Sequence, residues 1–366
     1  MRINLVRIAA LPCLVLVASA CGAAGTPGSG APAPGAPGAG GAGQANSSID
    51  PLVKAFKGPK VDLSGVSLTA TTPEPDSLDM GSVFMFDKLQ QWGAKVDVVT
   101  ITTTSGIQTM IAGRSNLGNH GADEVILGNS EGANVTAIGS SRTKQSYVLV
   151  AKNDIKNVAG LKGSTIAMSG PSGFDTLLTN YTLKNAGLGN QAKLVQVGGS
   201  PDRAQALIAG TVDAATIFLS DWENLQRKTN KIHLLVNFAD STSFPGDAYY
   251  LKADYLKSHQ KLGLAIACGN LEANQWLDSN ESQYIEFANR HIKGADQAGL
   301  KATWSDATKA GMWPTDPSQV IGQAGLESLQ QAMLGSGEIT KKVPLANSVD
   351  TSFLQKASAM GCGKSS

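Results

Sequence analysis

Residues Leu161–Leu178, LKGSTIAMSGPSGFDTLL, read as a turn, a short buried strand, a Gly/Ser loop and the start of a helix. Ser164 to Met168 is β-leaning and mostly apolar. Ser169, Gly170, Pro171, Ser172 and Gly173 break it, and Phe174 to Leu183 resumes with helical spacing. Such a loop offers backbone N–H groups, two hydroxyls and the positive end of a helix to whatever occupies a neighbouring cleft. Taken alone, the unit reads equally well as a plain connection. Its weight comes from similar units on both sides.

Upstream, Val61 to Thr72 alternates as a strand, ends in Pro73, Glu74, Pro75, Asp76 and Ser77, and gives way to a helix through Gln91. Val96 to Thr102 is a second strand, after which Ile107, Met110 and Ile111 share one helical face. Ser115 to Gly121 leads into Ala122 to Leu127, and Val135 to Ile138 ends in Gly139, Ser140, Ser141 and Arg142. Tyr147 to Ala151 opens a second series, continued by Lys193 to Val197, Val212 to Phe218 and Ile232 to Val236. Asp247 to Leu251 reads as one more strand, and from Lys252 the chain is mainly helical to Cys362, with Trp276, Tyr284 and Phe287 as packing residues. This alternation predicts an α/β protein with mostly parallel sheets flanked by helices, because parallel strands need crossover connections. Ligands of open parallel sheets lie beyond the carboxyl ends of the strands.

At 366 residues the chain is long enough for two lobes, and its net charge of +1 gives no sign of nucleic-acid binding. Arg2 and Arg7 precede an apolar run from Ile8 to Val17 and then Ala18-Ser19-Ala20-Cys21. Residues 1–20 therefore read as a secretory signal, too short to span a membrane as a mature helix. The cysteine at the cleavage point resembles a bacterial lipobox, which makes Cys21 the lipidated first residue. Ala18 stands where that pattern usually has Leu, so a plain small-residue cleavage site stays open. Residues 21–58 read as a tether, since 22–47 are nearly all Gly, Ala, Pro and Ser. Cys13 leaves with the signal and Cys21 goes to lipid, so Cys268 and Cys362 remain in an oxidising setting and are expected to pair.

The order of motifs from about residue 60 to 340 resembles the solute-binding subunits of ABC importers in the type II periplasmic-binding-protein superfamily, within its nitrate, alkanesulfonate, taurine and thiamine-precursor group. The residues that carry it are Ile107–Gly121 (IQTMIAGRSNLGNHG), Asn134–Ser141 (NVTAIGSS), Val158–Leu178 and Arg203–Ile217 (RAQALIAGTVDAATI). The resemblance implies two lobes, residues 59–142 with 245–366 and residues 143–244, with the helical C-terminal part packed on lobe one. It implies hinges near Ser141–Tyr147 and Ala239–Pro245, a solute clamped between the lobes, and a membrane permease as partner. A monomer held to the membrane by its lipid alone follows, with no cofactor.

The candidate contacts are the loops at strand ends. In lobe one these are Pro73, Glu74 and Asp76, then Thr103, Thr104 and Ser105, then Asn119, His120 and Asp123, with Arg142 at the first crossing. In lobe two they are Ser169, Ser172, Gly173, Phe174, Ser200, Arg203, Asp221 and Trp222. Ordinary capping explains the hydroxyls equally well. Trp222 with Asp221 suits a cationic or heterocyclic group, or else simple lobe packing. Arg142 and Arg203 suit an anion, or else surface solvation. The mixture of carboxylates and arginines favours a zwitterion or polar heterocycle over a dianion. His120, Asp123 and Glu124 do not form a metal set, because a first-turn Asp/Glu pair is expected at a helix start. An enzyme on this scaffold is disfavoured by the absence of His-Glu-x-x-His and by only four histidines. A ligand sensor without transport remains an alternative.

Overall fold

The computed structural model describes residues 49–101, 105–171 and 173–364. The signal peptide, Cys21 and most of the tether, with Thr103, Thr104 and Ser172, lie outside these residues. Within them ten strands form two five-stranded sheets. They are β1 Ser67–Thr72, β2 Lys95–Thr100, β3 Leu117–Gly121, β4 Val135–Gly139, β5 Tyr147–Lys152, β6 Thr165–Met168, β7 Lys193–Gln196, β8 Ala214–Phe218, β9 Ile232–Asn237 and β10 Asp247–Lys252. The first sheet runs β2-β1-β3-β10-β4 and the second β7-β6-β8-β5-β9. The first strand is shorter than its pattern predicts. A turn at Ser64-Gly65, with Gly65 at φ 80° and Val66 N–H donating to Leu63 O at 2.9 Å, separates Val61–Leu63 from it.

The two sheets repeat one plan. β1 pairs in parallel with β2 and β3, and β6 with β7 and β8. β10 runs antiparallel between β3 and β4, and β5 antiparallel between β8 and β9. Each reversed strand is the first one after the chain passes from one sheet to the other. A strand that enters where its neighbours finish must run against them. Both crossings, residues 140–146 and 238–246, therefore lie at the carboxyl ends of the parallel strands, between the two sheets.

The crossings are packed back to back. Asp247 N–H donates to Arg142 O at 3.1 Å, Ala122 N–H to Gly246 O at 3.1 Å, and the Gln145 side-chain amide to Pro245 O. Asn270, fully buried in helix Gln260–Ser279, accepts from Ser140 N–H at 2.9 Å and donates to Ser140 O at 2.7 Å. That pair of bonds fixes the first crossing to the C-terminal part of the chain.

Two expectations change. Residues 49–58 are not tether: Asp50 caps helix Pro51–Ala55, Val53 is fully buried, and Arg290 grips Asp50 with two bonds of 2.7 Å. An Asp-Pro start ahead of Leu, Val and Phe gives this stretch both a cap and an apolar face, so it folds onto the body. The C-terminal helices also reach beyond lobe one. Helix Gln297–Ala310 meets helix Leu219–Leu225, where Asp296 pairs with Arg227, and Leu300 and Trp313 share a core with Trp222 and Leu225. Lys184 of the second sheet's helix Phe174–Asn185 donates to Gly335 O at 3.2 Å, in helix Gln323–Ser336. Cys268 and Cys362 are joined by a disulfide with Cα atoms 5.2 Å apart. Among the described residues no helix is long and apolar enough to cross a membrane.

Candidate functional site

The floor of the cleft is a buried ionic knot. Arg142, 5% exposed, places Nη1 2.6 Å from Asp79 and 3.8 Å from Asp76, and Nη2 3.1 Å from Asp247. Burial works against its charge, yet Asp247, Asp79 and Asp76 together hold its pKa above the usual range. Burial pushes the Asp79 carboxyl well up, Arg142 opposes this, and Asp76 and Asp247 add to it. Ser141 Oγ donates towards Asn119 Oδ1 at 3.1 Å and Asp247 Oδ2 at 3.0 Å, and the Asn119 amide donates to Thr72 Oγ1 at 3.3 Å. Asn119 is thus a fully buried strut. Of the first loop, Glu74 is exposed while Asp76 caps Leu78 N–H at 2.7 Å and keeps part of its surface open.

The second lobe-one loop offers no free helix end. The Glu124 carboxylate accepts from Ser105 Oγ at 2.9 Å, Gly106 N–H at 3.0 Å, Ile107 N–H at 2.9 Å and the Tyr250 hydroxyl. It closes the start of helix Gly106–Ile111 as an internal anion. His120 lies against Gly106, where a Cβ would strike its ring, and its Nε2 has no partner among the described residues. Burial pushes its pKa down, against the pull of Glu124 and Asp247. The Asp123 carboxyl is pushed well up by burial, then by Glu124 and Glu338.

Burial lifts Glu338 from 4.5 to about 7. Its unfolded form therefore loses its proton first, and stability falls as pH rises from about 4.5 through about 7. That gap corresponds to roughly 3 kcal/mol at most, and water on its exposed side reduces this to about 1 kcal/mol. Glu338→Gln is expected to leave stability unchanged at pH 4 and to raise it by about that amount at pH 8. Urea titrations at the two pH values check it, and equal effects at both would count against a buried, proton-holding Glu338.

In lobe two the opening stretch folds as its spacing predicts, but its polar groups bond inward. Asp175 Oδ2 accepts from Ser169 N–H at 2.8 Å, Ser169 Oγ donates to the same carboxylate, and Arg203 Nε lies 3.7 Å away. Arg203, 2% exposed, donates Nε to Thr216 O at 2.8 Å and Nη1 to Gly198 O. Ser200 Oγ donates to Asp221 and accepts from Phe218 N–H at 2.8 Å. Burial raises the Asp221 carboxyl, Ser200 lowers it, and Asp76 across the cleft raises it again. Gly173 is the N-cap residue of Phe174–Asn185 and provides no side-chain bond. Trp222 is 8% exposed in the apolar core, so its indole packs the lobe.

Both arginines are spent within the protein, on carboxylates for Arg142 and on carbonyls and Asp175 for Arg203. The groups left with open surface are mostly acidic or aromatic. Tyr147, Phe174 and Phe218 are each half-buried, with Tyr147 4.6 Å from Phe218 and 6.0 Å from Phe174 between ring centres. Sequence reasoning chose Phe174 alone of these three. It also missed Asp79, Asp175, Ser220 and Asp247, although Phe218 ends a strand beside the chosen Asp221. Ser220 Oγ donates to Asp76 Oδ2 at 3.4 Å, a bond from lobe two to lobe one.

Catalytic and metal chemistry find little support. Gly128-Asn129-Ser130-Glu131-Gly132 has the spacing of a nucleophile elbow, but it closes helix Asp123–Ser130 and Ser130 Oγ bonds back to Leu127 O at 2.7 Å. Among the described residues Cys268, Glu272 and Cys362 alone converge within metal-ligand reach, and the disulfide removes both thiolates.

Residues 89–266 match the sequence family described as NMT1/THI5 like. YtlA of Bacillus subtilis (strain 168), named as a candidate binding protein, is 22% identical over 275 residues, which are 72% of this chain and 81% of YtlA. The periplasmic aliphatic sulphonate binding protein SsuA of Escherichia coli aligns with a TM-score of 0.63 at 19% identity, over 78% of this chain and 92% of SsuA. The ligand binding component of an ABC-type import system of Staphylococcus aureus, solved with zinc bound, gives 0.64 at 12% identity, over 80% and 98%. The desulfurization enzyme DSZB has a TM-score of 0.56 at 17% identity, over 81% and 99%. At these identities the structural likeness is one of fold.

Proposed function

We propose, from the premise that this chain belongs to the type II periplasmic-binding-protein superfamily, that it is the extracytoplasmic solute-binding component of an ABC importer. It holds a small polar organic solute between its lobes and delivers it to a membrane permease. The observation that carries this reading is the pair of like-ordered sheets whose carboxyl ends meet at a double crossing. Closure about two crossings brings both lobes onto one ligand, and that ligand then stabilises the closed form by its extra contacts. Lobe one is residues 59–142 with 245–366, now preceded by the docked stretch 49–58, and lobe two is 143–244. Cys21 holds the body to the membrane through the Gly/Ala/Pro tether.

DSZB favours a second reading, an enzyme on the same scaffold. Against it, the cysteines of the described body are tied in a disulfide, and Ser169 and Ser200 bond to Asp175 and Asp221 rather than to a histidine. The test is a thermal-shift screen of the purified chain against amines, aminopyrimidines, amino acids, sulfonates and nitrate, followed by uptake of the responding solute in cells with and without the gene. A solute at a hundred times its Kd adds roughly 2.7 kcal/mol, a rise of several degrees in Tm. Uptake that is unchanged by deleting the gene would refute the transport role.

A further inference from the structure

The charge left open in the cleft narrows the class of solute, an inference that rests on the receptor reading above. The positive groups near the crossings are largely engaged within the protein, with Arg142 Nε left unpartnered among the described residues. Arg142 faces three carboxylates, Arg203 is bound to two carbonyl oxygens and Asp175, and Glu124 fills the start of Gly106–Ile111. Helix Ser200–Ile208 begins with Ser200 tied to Asp221 and with Pro201, which has no N–H. An oxoanion would meet Asp76, Asp79, Asp175, Asp221 and Asp247 against two arginines that already face carboxylates.

Two half-buried carboxylates, Asp76 and Asp221, come from opposite lobes. Asp76 is joined to the Leu219–Asp221 turn by Ser220 and raises the Asp221 carboxyl by repulsion. Two buried hydroxyls lie on the neighbouring backbone. Ser77, 6% exposed, adjoins Asp76, and Ser146, 1% exposed, accepts Leu219 N–H on its carbonyl at 2.7 Å; neither Oγ has a partner among the described residues. A buried hydroxyl without a partner costs about 1–3 kcal/mol, so each would gain from a hydrogen-bonding neighbour. The rings of Tyr147, Phe174 and Phe218 cluster together, and Ser200 ties the Phe218 backbone to Asp221. Oxygen acceptors of negative charge beside aromatic faces suit a group with N–H donors, positive charge and a flat or apolar body.

We propose that the cleft selects a small organic cation, with its protonated nitrogen between Asp76 and Asp221 and its body against Tyr147, Phe174 and Phe218. Closing the empty cleft brings two like charges together, and the cation removes that repulsion. Solute charge and lobe closure are thereby coupled.

Calorimetric titration of the purified chain with histamine, phenethylamine, agmatine, ethanesulfonate and nitrate tests this. At least one amine is expected to bind and neither anion. Asp221→Asn should weaken the responding amine tenfold or more, whereas Asp254→Asn, an exposed change on helix Ala253–Ser258, should alter it less than twofold. Unfolding curves of the ligand-free variants establish that both are folded. Binding of ethanesulfonate or nitrate in place of the amines would overturn the cation inference and leave the receptor reading standing. So would full amine affinity in Asp221→Asn. Silence from all five probes overturns it as well, while the receptor reading falls only with the uptake measurement.

Discussion

Gly246→Ala is expected to destabilise the protein by about 3 kcal/mol or more, because it strikes the point where the two crossings touch. A Cβ at this position would lie 2.6 Å from Arg142 O, 3.0 Å from Arg142 Cγ and nearer still to Lys144 O. Two of these neighbours are backbone carbonyls of the other crossing, which cannot swing aside as a side chain can. Relief requires the crossings to part, and that breaks Asp247 N–H to Arg142 O and Ala122 N–H to Gly246 O. It would also loosen the ionic knot, since Asp247 and Arg142 flank the contact. Urea unfolding measures the loss, and solute titration of the surviving folded fraction measures the effect on closure. A change within about 0.5 kcal/mol would show that the crossings are not packed as described.

The fold was legible because most strands carry a short apolar run, several of them closed by Gly, Pro, Ser or Thr, and these runs alternate with helical spacing. The strand after each crossing illustrates the limit. Tyr147–Ala151 and Asp247–Leu251 were found as strands, but nothing in YVLVA or DAYYL says that they run against their neighbours. Direction follows from which end the chain enters, a tertiary fact.

The cleft loops were legible by position and misleading by residue type. Arg142 and Arg203 read as receptors for an anion, yet both are engaged by partners 5 to 105 residues away, most of them at spacings that no local pattern reports. Glu124 read as a first-turn acid of its own helix, and it closes a different one. Trp222 read as a possible stacking face because it follows Asp221. At helical spacing from Leu219 and Leu225 its ring turns to the apolar core, where the C-terminal helices supply Leu300 and Trp313. Phe218, one residue before the helix, keeps a ring at the cleft instead.

Cys268→Ala combined with Cys362→Ala is expected to cost about 3–5 kcal/mol. The disulfide closes a loop between residues 94 apart, and tethering a loop of that size removes roughly 4–5 kcal/mol of chain entropy from the unfolded state. Both cysteines are buried, so the substitution also leaves space in a packed region. The bond joins helix Gln260–Ser279 to the turn after helix Ser352–Ala359. The first of these carries Asn270, which holds Ser140 at the start of the first crossing. Loss of the bond therefore weakens the frame on which the hinge is mounted, without touching a residue that faces the cleft. The expected pattern is a large fall in the urea midpoint with solute affinity changed less than twofold. Adding reductant to the unaltered protein should lower its midpoint in the same way, and Cys268 and Cys362 should resist alkylation until it is added. Coincident unfolding curves with and without reductant would refute the argument. A stability loss accompanied by an equally large affinity loss would place the disulfide in the closure mechanism itself.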